Sequence, residues 1–173
     1  MKANWLIAAG ISIVTLASFS DALQTEAQDQ QFVTQAAEGG LLEVKLGELA
    51  VKSGTSAQVK DFGKAMIRDH TKVNDELKAL AKKKNLNVPA SLSPMKQQKY
   101  DSLASQTGTQ FDMLYMNMMI ASHEQTIGLF QTESTKGQDA DVKKWADGKI
   151  PALKHHLEMA KKLFKSSPGA AGK

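Results

Sequence analysis

The stretch "VKDFGKAMIRDHTKVNDELKAL", residues 59–80, carries apolar side chains at Val59, Phe62, Met66, Val73, Leu77 and Leu80. They recur at three, four and seven positions, the spacing of one helix face and not the alternation of a strand. Asp69 and His70 interrupt this stripe, one on each shoulder, each about 50° from its centre at 100° per residue. The pair is either the margin of an amphipathic helix or part of a site. The rest of the chain has to decide.

Working outward, Gly54 suits a helix C-terminus, and Thr55 with Gln58 reads as a capping box opening this second helix, which continues to Lys84. A first helix is expected from Gln30 to Lys52. Downstream, "NLNVPASLSP" breaks the pattern. Ser93-Pro94 opens a short helix that Gly108 ends, and Thr109 with Asp112 reads as the cap of a third long helix to Thr135. After "KGQDAD" a fourth runs from Asp139 to Lys165. The class is therefore all-α: four helices of about 23–30 residues, with a long connection carrying a short helix between the second and third. Short outer connections make antiparallel hairpins. The middle connection either runs back along the bundle, as in ferritin-like folds, or forms a loop with a helix packed over one end.

At 42% apolar and 23% charged, a chain of 173 residues suits one helical domain and is far from a disordered composition. The net charge of +4 is spread thinly, and its one cluster, Lys82–Lys84, complements a helix C-terminus. No aromatic-interleaved basic motif accompanies it, so nucleic acid is not an expected partner. The absence of cysteine excludes disulfides, thiolate metal sites and a lipoprotein anchor.

"MKANWLIAAGISIVTLASFSDA" has Lys2, an apolar run from Trp5 to Ala17, then small residues, the layout of a secretory signal peptide over 1–22 with cleavage near 20–22. The run is short for a membrane span of about 20 residues. No transmembrane domain is expected in the mature protein, although an uncleaved anchor stays open. A flexible leader over 23–29, a bundle over 30–165 and a disordered tail over 166–173 complete the division. The expected location is periplasmic or secreted, with peripheral association to the outer membrane allowed and the protein partner unknown.

Polar residues that share the apolar faces are the candidates for function. On the first helix Ala36, Gly40, Glu43, Gly47 and Ala50 form one line, in which Glu43 is the single carboxylate. His123 lies inside the apolar arc of the third helix, in line with Asp112, Met116, Met119 and Phe130, and His156 falls within the stripe of the fourth. His155 points away. Counted along helices of equal length, Glu43, His70, His123 and His156 fall within about 6 Å of rise of one another. This agreement does not depend on the path of the middle connection, because His123 sits near the midpoint of its helix.

Three neutral imidazoles and one carboxylate from four helices suit zinc or another late divalent metal, with Asp69 and Asp112 as alternative ligands or supporting carboxylates. Zinc is the expected ion, with copper or iron ranked below it. Met66, Met119 and Met159, each three or four positions from a histidine, are a weaker pointer to copper, since methionine is also an ordinary core filler. The competing expectation is a metal-free structural or interaction module whose histidines only fill a polar layer. No phosphate-binding loop or catalytic triad is recognisable, since adjacent Ser122 and His123 point about 100° apart on a helix.

The motifs Glu43-Val44 with Leu46-Gly47, Phe62 through Asp69-His70, Phe111-Asp112 with Tyr115 and His123, and Pro151 with Leu153 and His156 resemble a bacterial family. It is the domain-of-unknown-function family 4142, whose members carry an outer membrane label. The likeness covers about residues 31–164. It implies a ferritin-like four-helix bundle and an exported protein, and it supplies no activity. The chain departs from the di-iron pattern, which needs Glu-x-x-His on two helices. No such motif occurs here; the fourth helix carries the reverse order, His155-x-x-Glu158. An enzyme is accordingly not expected, and a redox or peroxide-handling metalloenzyme ranks last among the readings.

Overall fold

The computed structural model describes residues 17–166, with side chains from residue 28 onward. Most of the signal segment, residues 1–16, and nearly all of the expected tail, residues 167–173, lie outside the described residues. Those described form five helices and no strand: α1 (Ala17–Ser53), α2 (Ala57–Lys84), α3 (Pro94–Ala104), α4 (Gly108–Lys136) and α5 (Ala140–Ser166). No described helix is long and apolar enough to cross a membrane.

Two carboxylates set how these helices face one another. Asp112, in the first turn of α4, accepts hydrogen bonds from the backbone N–H groups of Thr55 and Ser56, both at 2.8 Å, at the turn that opens α2. Asp29, on α1, does the same for Gln138 at 2.9 Å and Asp139 at 2.8 Å, in the turn between α4 and α5. The end of α1 therefore meets the start of α4, and α1 at Asp29 meets the end of α4. The two helices run antiparallel. Asn87, just past α2, bonds Gln30 through both its N–H and its carbonyl, so α2 ends where α4 ends. Residues 85–107 consequently run back along the length of the bundle, which is the first of the two paths the sequence left open.

Several local expectations are corrected by these contacts. Residues 23–29, set apart in the sequence as a leader, continue α1 as helix: "LQTEAQDQ" contains no glycine or proline, and Asp29 is bonded to the far turn. The cap of α2 is Ser56, whose hydroxyl accepts from the Val59 N–H, rather than Thr55 with Gln58. Thr109 caps nothing, because α4 already starts at Gly108, which sits at φ +63°, while Asp112 is turned across to α2.

Close approach of α1 and α2 follows from the small-residue line. A Cβ at Gly47 would stand 2.8 Å from the Gly63 carbonyl, and one at Gly63 would stand 2.8 Å from the Gly47 carbonyl. The apolar interior forms two clusters. One gathers Leu46, Phe62, Met66, Phe111, Tyr115 and Met119; the other gathers Phe32, Leu77, Ile127, Phe130, Val142 and Leu157. His70 on α2 and His123 on α4 lie between the two clusters along their helices, Glu43 and His156 lie near the boundary between them, and all four are buried.

The Asp112 clamp yields a prediction. Asp112→Ala leaves two N–H groups at the start of α2 without their acceptor, and urea unfolding should show a loss of about 1–3 kcal/mol. Lys64→Ala, which removes only an exposed ion pair with Asp61, should change stability by less than about 0.5 kcal/mol. Equal effects would contradict the clamp.

Candidate metal centre

The three inward histidines come together. Ring centroids are 5.7 Å apart for His70 and His123, 5.5 Å for His70 and His156, and 5.5 Å for His123 and His156, a nearly equilateral triangle. One ring nitrogen of each lies within 4.8 Å of one from both others. Each ring arrives by helical spacing: His70 follows Met66 by a turn, His123 follows Met119, and His156 sits between Leu153 and Leu157.

Hydrogen bonding fixes the tautomer of two of them. His123 Nδ1 is 2.8 Å from the Met119 carbonyl, which can only accept, so Nδ1 carries the proton and Nε2 keeps a bare lone pair. His156 Nε2 is 3.1 Å from Asp69 Oδ2, so it donates to that carboxylate and leaves Nδ1 bare. Neither bare nitrogen has a hydrogen-bond partner, nor does His70 Nε2, and all three are buried. Native interiors pair nearly all such groups. Three unpaired imidazole nitrogens in one place are what a cation would satisfy.

The electrostatics favour the neutral form of His70 and His156. Burial, then the neighbouring His123 and His156, pushes His70 down to about 3. Burial also lowers His156, with Asp69 acting against the shift. Asp69 itself is held below its ordinary range by the Arg68 guanidinium, which bonds it at 2.7 and 3.0 Å. Asp69 therefore supports His156 rather than its own neighbour His70.

Glu43 is 3% exposed and borders the same cavity as His70 and His156, yet it lies outside the set of ligand atoms within 4.8 Å of one another. Ser122 donates its hydroxyl to Oε1, and Oε2 has no partner. Ser122, weighed in the sequence only as a nucleophile, is thus the residue that orients Glu43. Asp112 drops out as an alternative ligand, since both its oxygens are engaged at the start of α2. His155 is exposed, as its helical position requires.

A second buried carboxyl went unnoticed in the sequence. Glu133 is 2% exposed near Asp29, and burial pushes it up to about 7, with the Asp29 carboxyl adding to the shift. Its position in an otherwise exposed helix end offered no signal.

The sign of the histidine shift gives a pH prediction for protein stripped of metal by chelation. His70 binds a proton less readily folded than unfolded, so the unfolded chain takes up more protons between pH 6.5 and about 3. Stability should be full above pH 6.5 and fall through that window by a few kcal/mol. In urea titrations His70→Gln should flatten the fall; an unchanged slope would contradict the burial of a neutral ring.

The fold has a counterpart among solved structures. A crystal structure of a DUF305 fragment from Deinococcus radiodurans superposes with a TM-score of 0.69 over 79% of this chain and 95% of that one, at 11% identity, a likeness of fold alone. No curated protein matches the chain. The family model described as "Domain of unknown function (DUF4142)" matches residues 14–163, and the chain belongs to that family.

Proposed function

We propose that the chain is an exported, ferritin-like four-helix bundle that binds one divalent metal ion through His70, His123 and His156, in the periplasm or at the cell envelope. The observation that carries this reading is the convergence of three buried imidazoles, each with one buried nitrogen that has no hydrogen-bond partner. Zinc, with Zn–N distances near 2.0–2.1 Å, would need ring nitrogens about 3.3 Å apart, a modest closing from the 4.8 Å limit. The cavity beside the rings has a volume of about 60 Å³, room for about two waters and too little for an organic substrate. Glu43 completes the donor set, directly or through a water in that cavity.

Zinc remains the first choice of ion. Met66 and Met119 belong to the apolar cluster, where thioethers are ordinary packing, and this weakens the pointer to copper. The role is binding within the envelope rather than turnover, since the di-iron motif is missing. A metal-free module whose polar layer fixes helix register is the competing reading. The unpaired nitrogens count against it, because a purely structural layer would pair them.

Purification without a polyhistidine tag, followed by elemental analysis and thermal melts with added zinc, tests the proposal. About one metal per chain and a raised Tm are expected by mass action. His123→Gln should abolish the rise, whereas His155→Gln should leave it intact. Less than about 0.1 metal per chain, with no shift at metal well above micromolar, would overturn the reading.

A further inference from the structure

Between α1, α3 and α4 lies an open groove of about 430 Å³, a volume in the range of small-molecule sites. Its apolar wall is formed by Leu42, Leu114, Met118 and Leu129, and Lys96 and Lys99 stand along the α3 side. Along α4 the lining from Leu114 to Leu129 extends about 22 Å, with Ser122, Gln125 and Thr126 as polar members between Met118 and Leu129. It is therefore elongated, open to solvent, and separate in character from the small chamber beside the histidines.

Lys96 is only partly exposed, and no carboxylate among the described residues lies within ion-pair distance of it. Lys60 and Lys143 share both properties, but of the three Lys96 alone lines the groove. Its ammonium sits over Gly39, 3.9 Å from where a Cβ would stand, so the missing side chain leaves the head group room at the groove. The nearest candidate partner, Glu38, accepts a hydrogen bond from Ser93 at 2.9 Å. Burial lowers the Lys96 pKa, with Lys99 adding to the shift and Glu38 and Glu43 offsetting part of it. A partly desolvated cation beside an apolar trough lacks one thing, an anion with an apolar tail.

We propose that this groove binds a single anionic amphiphile of the fatty-acid class, its carboxylate on Lys96 and its chain along Leu42, Leu114, Met118 and Leu129. Charge complementarity selects the head group, since a partly buried ammonium gains a charge-assisted hydrogen bond that water supplies poorly there. The apolar wall selects the tail, at the usual gain per buried methylene. Lys99, exposed at the rim, steers the approach of the anion but does not hold it. The occupant is a monomeric amphiphile, not a bilayer surface, because the site is a recessed groove of about 430 Å³ rather than a flat face. The proposal is independent of whether the histidine layer holds metal.

Calorimetric titration with dodecanoate below its micelle concentration is the test, with dodecyltrimethylammonium as the tail-matched cation. One dodecanoate per chain should bind, and the cation should bind at least about tenfold more weakly. Lys96→Gln should weaken dodecanoate at least about tenfold, and Lys96→Arg should restore it. Met118→Trp, which fills the trough and leaves Lys96 in place, should also weaken it while the far-ultraviolet circular dichroism stays unchanged. Equal binding of anion and cation, an unaffected Lys96→Gln variant, or binding only to anionic vesicles would each overturn the proposal.

Discussion

Three imidazoles buried in one layer, with apolar clusters above and below, impose the condition that the remaining structure meets. A protonated ring there would carry an uncompensated charge in low dielectric, and burial favours the neutral form of His70 and His156 accordingly. Neutral rings still need their N–H groups satisfied. The Met119 carbonyl and the Asp69 carboxylate do this for His123 and His156, and in doing so they leave one bare nitrogen on each of these rings. The same bonds that make the layer tolerable also make it a ligand set.

Holding three rings and Glu43 at one level requires that four helices keep their register. Asp29 and Asp112 provide it from opposite ends, each spending both carboxylate oxygens on the backbone of a turn in the other hairpin. Charge-assisted bonds to two adjacent N–H groups allow little sliding. The facing glycines Gly47 and Gly63 fix the separation of α1 and α2. The returning connection, tied by Ser93 to Glu38 and by Lys45 stacked over Tyr100, covers α1 and forms one wall of the open groove.

Much of this was legible in the sequence because it depends on periodicity. Apolar spacing located the helices, and the same 100° projection placed His70, His123 and His156 inward and His155 outward. What escaped reading depends on residues far apart in the chain. Asp112 looked like a local cap or a spare ligand, whereas its partners lie 56 and 57 positions away. Asp29 looked like part of a leader, whereas it bonds across 109 and 110 positions. Glu43 was recognisable as inward, but its holder Ser122 is 79 residues distant on another helix. Lys96 could not be singled out at all, since its burial depends on the path of a connection whose length allowed two routes.

X-ray absorption spectroscopy of the zinc-loaded protein addresses the central claim most directly, because it counts imidazole ligands at the ion. The account predicts about three nitrogen scatterers at about 2.0–2.1 Å with the outer-shell pattern of histidine rings, the remainder being light oxygen donors. A first shell without imidazole, or zinc removed by a single desalting step, would contradict it.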